Sequence, residues 1–336
     1  MFMITTDICI IGAGPVGLFA VFEAGLLKMR CHLIDALPVV GGQLAEIYPQ
    51  KPIYDIPGAP GIIAEDLVKN LMLQIEEFKP GFTLGERVEA LEKQEDESYI
   101  VRTNEGTAVH CKVVVIAAGL GSFEPRKPAV EKLEYFEGKG VHYMVKKPEQ
   151  FRNQNVVLAG GGDSALDWTI FLADIASRVT LVHRGDTFRG APDSAEKVFE
   201  LAEKGKINLI LQSQVSSLGG NGVLKEISIT GNDKNVTTIP TDHFIPLFGL
   251  SPKLGPIADW NLGVEKSAVI VDTLDYSTNV PRIYAIGDIN TYPGKLKLIL
   301  CGFHEAAIMM QSAFKYVYPD QKLSFKYTTV NGVNAF

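Results

Sequence analysis

Three features of this 336-residue chain predict an α/β fold of two Rossmann-like, three-layer dinucleotide-binding units, the second inserted into the first. A strand-type apolar run leads into Gly12-x-Gly14-x-x-Gly17 and an apolar-faced helix. The same order recurs at Gly160-x-Gly162-x-x-Ala165, and another strand-type segment, Lys112 to Gly119, stands between the two copies. One glycine-rich turn would say little. Two, each following a strand and opening a helix, make chance a poor explanation.

The first copy is "DICIIGAGPVGLFAVFEAGLLKMRCHLID". Glycine lets the backbone turn tightly and approach a pyrophosphate, whose charge then sits on free N–H groups at the positive end of a helix. Its second strand ends at Asp35, a carboxylate placed to accept hydrogen bonds from ribose hydroxyls. After the strand "KVVVIAAG" comes the second copy, "NVVLAGGGDSALDWTIFLADIASRVTLVHR", whose turn and helix start are Gly160, Gly162, Asp163 and Ala165. The spacing from Gly12 to Asp35 lands here on His183, followed by Arg184 and, after a turn, Arg189. A carboxylate there would repel a 2′-phosphate, whereas guanidinium groups bind one through charge-assisted contacts. The second copy therefore reads as a site for NADPH. At "DHFIPLFGLSP" the chain is expected to rejoin the first unit, and a last strand runs into Gly287-Asp288 and a helix. Asp288 could accept bonds from the ribityl hydroxyls of a flavin, or simply cap a turn. The expected boundaries are 1–119 with 244–326 for the first unit, 120–243 for the second, and 327–336 for a C-terminal extension.

Composition narrows the function. At 46% apolar the chain can bury a large core, and a formal charge of −7 disfavours a nucleic-acid binder, which needs a surplus of Lys and Arg on one face. Residues 1–6 are too short for a signal peptide and no apolar run is long enough to span a bilayer, so a cytoplasmic protein without membrane partners is expected. Cys9, Cys31, Cys111 and Cys301 are scattered, none at C-x-x-C spacing, and read as small buried hydrophobes. The six histidines show no ligand spacing, and no metal site is expected.

Together "GAGPVG", "GGQL", "GGGDSA", "HRGDTFR" and "YAIGD" resemble the two-domain flavoproteins of the thioredoxin-reductase superfamily over nearly the whole chain. In thioredoxin reductase itself a redox-active C-x-x-C precedes the second fingerprint. Here that place holds Met144, Val145, Lys146 and Lys147, and no dithiol can form. One subfamily lacks the dithiol, the thioredoxin-reductase-like ferredoxin–NADP reductases. "GGQLAEIYPQKPIYDIPG", "DINTYPGKLKLI" and the tail "KYTTVNGVNAF" resemble that subfamily in particular.

The resemblance implies FAD contacts from Pro15 at the pyrophosphate turn, Asp35 at the adenosine ribose, Gln43 and Tyr48 beside the ring, Val88 near the adenine, Phe123 at the domain junction, and Asp288 at the ribityl chain. It also implies that Tyr48 and Tyr327 stack on opposite faces of the flavin, with Thr328 bonding near the ring, in a homodimer whose tails cross. The implied activity is hydride exchange between NADP(H) and FAD, then single-electron transfer with ferredoxin or flavodoxin. No side chain need act as acid, base or nucleophile. Lys146 and Lys147, with Lys51, Arg126 and Lys127, are candidates for docking an acidic carrier, or else ordinary solvated cations. Two other readings stay open: a disulfide or peroxide reductase using Cys301, and a non-catalytic flavin redox sensor.

Overall fold

The computed structural model describes residues 3–121, 124–251, 253–323 and 332–333. The chain forms two compact units, Met1–Ser122 with Pro252–Phe336, and Phe123–Ser251.

The first unit is built on a five-stranded parallel sheet in the order Ile283–Ala285, Val113–Ile116, Ile8–Ile11, Cys31–Asp35, Gly81–Leu84. "ICII" and "VVVI" are apolar at every position because a parallel strand at the centre of such a sheet is covered on both faces, and every one of these residues is buried. The helix Pro15–Leu26 packs between Ala64–Ile75 and Ile299–Val317. A second sheet, ordered Met3–Thr5, Ala108–Cys111, Tyr99–Thr103, Val88–Lys93, adds Val101, Val109 and Cys111 to the same core.

The second unit repeats the plan at smaller size. Its parallel sheet runs His243–Pro246, Asn155–Ala159, Arg178–Val182, Asn208–Ile210, with the helices Asp163–Leu172 and Pro192–Glu203. An antiparallel sheet of Ser213–Gly219, Glu226–Gly231 and Val236–Pro240 supplies Val215, Leu218, Ile227 and Ile229 to a core shared with Phe136, Val157 and Phe244.

One expected boundary is corrected. His243–Pro246 does not rejoin the first unit at residue 244; it pairs in parallel with Asn155–Ala159, and Leu250–Ser251 then pairs with Glu124–Pro125. The second unit therefore runs on to Ser251 and begins at Phe123. The physical reason is symmetry. Each first strand needs a neighbour on its far side, and "HFIP" does for Asn155–Ala159 what "VVVI" does for Ile8–Ile11.

Candidate functional site

In the first turn, Gly12 takes φ +112 and donates its N–H to the Ile34 carbonyl at 2.8 Å. A Cβ at Gly12 would lie 2.4 Å from the Ala117 carbonyl oxygen, and one at Gly17 only 2.1 Å from the Gly12 oxygen. The backbone itself demands glycine at both places. Gly14 is different. Its backbone is extended, and a Cβ there would meet nothing nearer than Gly42 Cα at 3.9 Å. Protein packing gives no reason for glycine at 14, so the space in front of it suits a ligand that approaches the main chain. Gly14 also caps the helix Pro15–Leu26, whose first turn has Pro15 and no acidic residue, leaving the positive helix end to an anion.

Asp35 does more than its strand-end position suggests. Oδ2 accepts the Ala13 N–H at 2.7 Å and Oδ1 accepts the Leu37 N–H at 2.8 Å, so the carboxylate pins the turn and retains capacity to accept further hydrogen bonds. Burial pushes its carboxyl above the usual range and the two backbone bonds pull the other way. The loop Gly41-Gly42-Gln43 closes over the turn. Gly41 donates to the Ala13 carbonyl at 2.8 Å, and a Cβ on Gly42 would come within 3.1 Å of Gly14 Cα. The Gln43 amide nitrogen lies 3.2 Å from where a Cβ on Gly119 would stand.

Tyr48 is half-buried, its phenol pushed up to about 12 by burial and by the negative charges of Asp288 and Asp55, and the Lys51 ammonium lies 5.7 Å from its ring centre. Asp288 follows Gly287, which takes φ +78, and burial raises its carboxyl against the pull of Lys297 and Lys295. Val16, at the start of the first helix, lies against both Gly287 and Gly302, where added Cβ atoms would stand 3.4 and 2.4 Å from its Cγ2. The Gly287-Asp288 turn is thereby brought to the mouth of the first glycine turn. The Val88 side chain is 5% exposed and belongs to the core, so only its main chain could meet a ligand. Phe123, Tyr327 and Thr328 lie outside the described residues.

In the second turn, a Cβ on Gly160 would strike the Leu247 carbonyl at 2.6 Å, while one on Gly162 would meet only the Arg189 guanidinium, at 3.4 Å. The Gly161 carbonyl accepts the N–H groups of Arg189 and Gly190 at 2.7 and 3.1 Å, and Asp163 Oδ1 accepts the Ala191 N–H at 2.7 Å. The His183 ring lies over Gly161 and bonds the Thr187 carbonyl at 3.0 Å. These contacts hold His183, Arg184 and Arg189 in one loop bound to the turn, with both arginines exposed. His183 thus has a packing role that its sequence position did not reveal.

Segment 144–147 is anchored in the core by one residue. Val145 is fully buried, Lys146 and Lys147 are exposed, and Pro148–Phe151 follows as a short 3-10 turn. Just before it His142 meets His243 with ring nitrogens 3.0 Å apart, and burial with the neighbouring ring lowers the His142 imidazole to about 4. Cys9, Cys31 and Cys111 are buried free thiols; burial raises Cys31, and a thiol–thiol hydrogen bond with Cys111, together with burial, raises Cys9. Cys301 is half-exposed. Among the described residues no group of three His, Cys, Asp or Glu is arranged to hold a metal, and no helix is long and apolar enough to cross a membrane.

Sequence reasoning missed Glu305. It stands in "CGFHEAAIMM", on a helix that reads as ordinary, and the only signal was one carboxylate on the stripe of Gly302, Ala306 and Met309 that faces the core.

Residues 6–306 match the family of pyridine nucleotide-disulphide oxidoreductases. "Ferredoxin–NADP reductase 1" of Christiangramia forsetii is 64% identical over 99% of this chain and 96% of its own length. "Ferredoxin–NADP reductase" of Flavobacterium johnsoniae is 61% identical over 99% and 95%. Among solved structures, the thioredoxin reductase of Lactococcus lactis matches with a TM-score of 0.80 at 25% identity, covering 94% of this chain and 99% of that one. The fold is shared with that structure over nearly its whole length, and the chain belongs to the pyridine nucleotide-disulphide oxidoreductases, in the branch of proteins named ferredoxin–NADP reductase.

Proposed function

We propose that this chain is a ferredoxin–NADP reductase that holds FAD in the first unit and NADP(H) in the second, and exchanges electrons with ferredoxin or flavodoxin. The observation that carries the reading is the pair of second glycines. Gly14 stands before space that no side chain fills, next to the turn that Asp35 ties down, and Gly162 faces only the exposed Arg189 guanidinium, 3.4 Å from where a Cβ would stand. The relatives of high identity supply the name of the reaction.

A bound flavin would supply hydride and single-electron chemistry. The protein's part is to bind and orient. The N–H groups at the start of Pro15–Leu26 would take the pyrophosphate, Asp35 a ribose, and Asp288 the ribityl chain, while Gln43 and Tyr48 would border the ring. Arg184 and Arg189 would take the 2′-phosphate of NADPH, with Gly160, Gly162, Asp163 and Ala165 forming the turn beneath it. Phe123, Tyr327 and Thr328 complete the proposed flavin contacts from outside the described residues, in a cytoplasmic homodimer whose residues 327–336 cover one ring face.

The test is an anaerobic assay driven by NADPH with ferredoxin, flavodoxin and thioredoxin offered in turn. Ferredoxin or flavodoxin should be reduced and thioredoxin should not. Cys301→Ser, which removes the one thiol among the described residues that is not buried, should keep close to the parent rate. Thioredoxin turnover that disappears in Cys301→Ser would overturn the proposal in favour of a disulfide reductase.

A further inference from the structure

Glu305 is the one fully buried carboxylate among the described residues, and it collects four donors from a single loop. Oε2 accepts the Gly287 N–H at 2.7 Å and the Asn290 side-chain amide at 2.8 Å. Oε1 accepts the Tyr292 hydroxyl at 2.8 Å and the Lys295 ammonium. Lys295 is itself nearly buried, with a side chain 6% exposed, so the two form an ion pair inside the protein. Asn290 donates a second bond to the Ala285 carbonyl at 2.9 Å, while its Oδ1 is buried with no partner among the described residues.

Such a cluster is a costly way to stabilise a fold. Removing two charges from water consumes most of what their attraction returns, and apolar side chains of similar volume often hold a core equally well. The cluster does something apolar packing would do poorly. A carboxylate that accepts a backbone N–H at Gly287 fixes a left-handed turn at one defined point. The residue carried by that turn is Asp288.

We propose that Glu305 is a positioning residue of the first nucleotide site: its carboxylate, with Lys295 as counter-charge, sets the Gly287–Asp288 turn against the flavin and contributes to the electrostatic field in which the flavin is reduced. This rests on the reading that the first unit binds FAD. Glu305 acts through the turn and touches no reacting atom.

The experiment compares the parent chain with Glu305→Gln and with the double variant Lys295→Met, Glu305→Gln, in which both charges are gone. Three quantities are read: the FAD dissociation constant of the flavin-free protein, the midpoint potential of the bound flavin, and the melting temperature. Glu305→Gln should raise the dissociation constant at least tenfold and move the potential upward, because an uncompensated Lys295 cation favours the more negative reduced flavin. A tenfold preference for the reduced form corresponds to about 30 mV for a two-electron couple. The double variant should recover the melting temperature and the potential but still bind FAD weakly, since the Gly287 N–H has lost its charged acceptor. A merely structural residue would weaken both oxidation states equally and leave the potential unmoved. Parent-like affinity and potential in Glu305→Gln would overturn the proposal, and so would parent-like FAD affinity in the double variant, which also decides the matter if the single variant does not fold. A parent chain that takes up no FAD would instead sink the flavin reading itself.

Discussion

The two glycine turns start alike and finish differently. In both, the first glycine lies against the carbonyl that follows the neighbouring strand, Ala117 for Gly12 and Leu247 for Gly160, at 2.4 and 2.6 Å from an added Cβ. In both, the second glycine meets no atom that would exclude a Cβ: Gly42 Cα stands 3.9 Å away at Gly14, and the end of the Arg189 side chain 3.4 Å away at Gly162. They part at the end of the next strand. In the first unit the Asp35 carboxylate is tied to Ala13 and Leu37. In the second the His183 ring covers Gly161 and the backbone of Arg189 and Gly190 is tied to the Gly161 carbonyl. What is shared answers to backbone sterics. What differs sets the charge presented to a ligand, acidic in one turn and basic in the other.

The comparison breaks most severely at the glycines. Gly12→Ala forces a side chain into φ +112 and against a backbone oxygen, and should cost more than about 3 kcal/mol, giving protein that melts well below the parent and holds no flavin. Gly14→Ala should leave the melting temperature of the flavin-free protein near the parent's, because the added methyl has space, and yet raise the FAD dissociation constant tenfold or more. Thermal melts and flavin titration of the two variants side by side separate fold from ligand. Parent-like flavin binding by Gly14→Ala would show that the space at Gly14 is not reserved for a pyrophosphate.

A smaller effect sharpens the contrast from the other side. In the double variant Arg184→Ala, Arg189→Ala the turn keeps its closure, since the bond from Arg189 to Gly161 uses the main chain. The KM for NADPH should rise about ten- to a hundredfold, as expected for lost charge-assisted contacts to a phosphate, while the KM for NADH stays close to the parent value. Steady-state kinetics with both nucleotides decides it. An unchanged preference for NADPH would remove the arginines from the proposed site.

How far this pattern was legible depends on what kind of information each residue carries. Both turns, both helix starts and the strand end at Asp35 could be read, because each follows from local backbone rules that fix a residue type at a spacing. The Asp35 bond to Ala13, the ring of His183 over Gly161, and the donors gathered on Glu305 join residues ten or more positions apart, so nothing local announced them. The boundary at Ser251 was missed for a related reason: an apolar four-residue strand does not state which sheet it joins. The duplication did hold that information. Since "KVVVIAAG" flanks the first turn, the second unit needed its own counterpart, and "DHFIPLFG", which follows the unit's antiparallel strands as "KVVVIAAG" follows those of the first, stands in the matching place.

The weakest expected effect concerns the carrier. Neither turn can supply a docking surface, being occupied with nucleotides in the proposed function, so charge for an acidic partner must come from elsewhere. Among the cations named from the sequence, Arg126, Lys127, Lys146 and Lys147 are exposed, Lys127 lies 2.6 Å from Glu137, and Lys51 lies over the Tyr48 ring; Lys146 and Lys147 are adjacent in the chain and follow the buried anchor Val145, which makes them the simplest pair to test. Exposed charges steer association and are screened over about 8–10 Å at physiological salt, so their signature is kinetic and salt-dependent. Lys146→Glu, Lys147→Glu should lower kcat/KM for an acidic ferredoxin about three- to tenfold at low ionic strength, converge with the parent at high salt, and leave reduction of a small neutral dye unchanged. Stopped-flow rates across a salt series measure all three. Equal ferredoxin rates at low salt would reduce the pair to solvated lysines flanking a packing residue, and Val145 would be the sole reason for the segment.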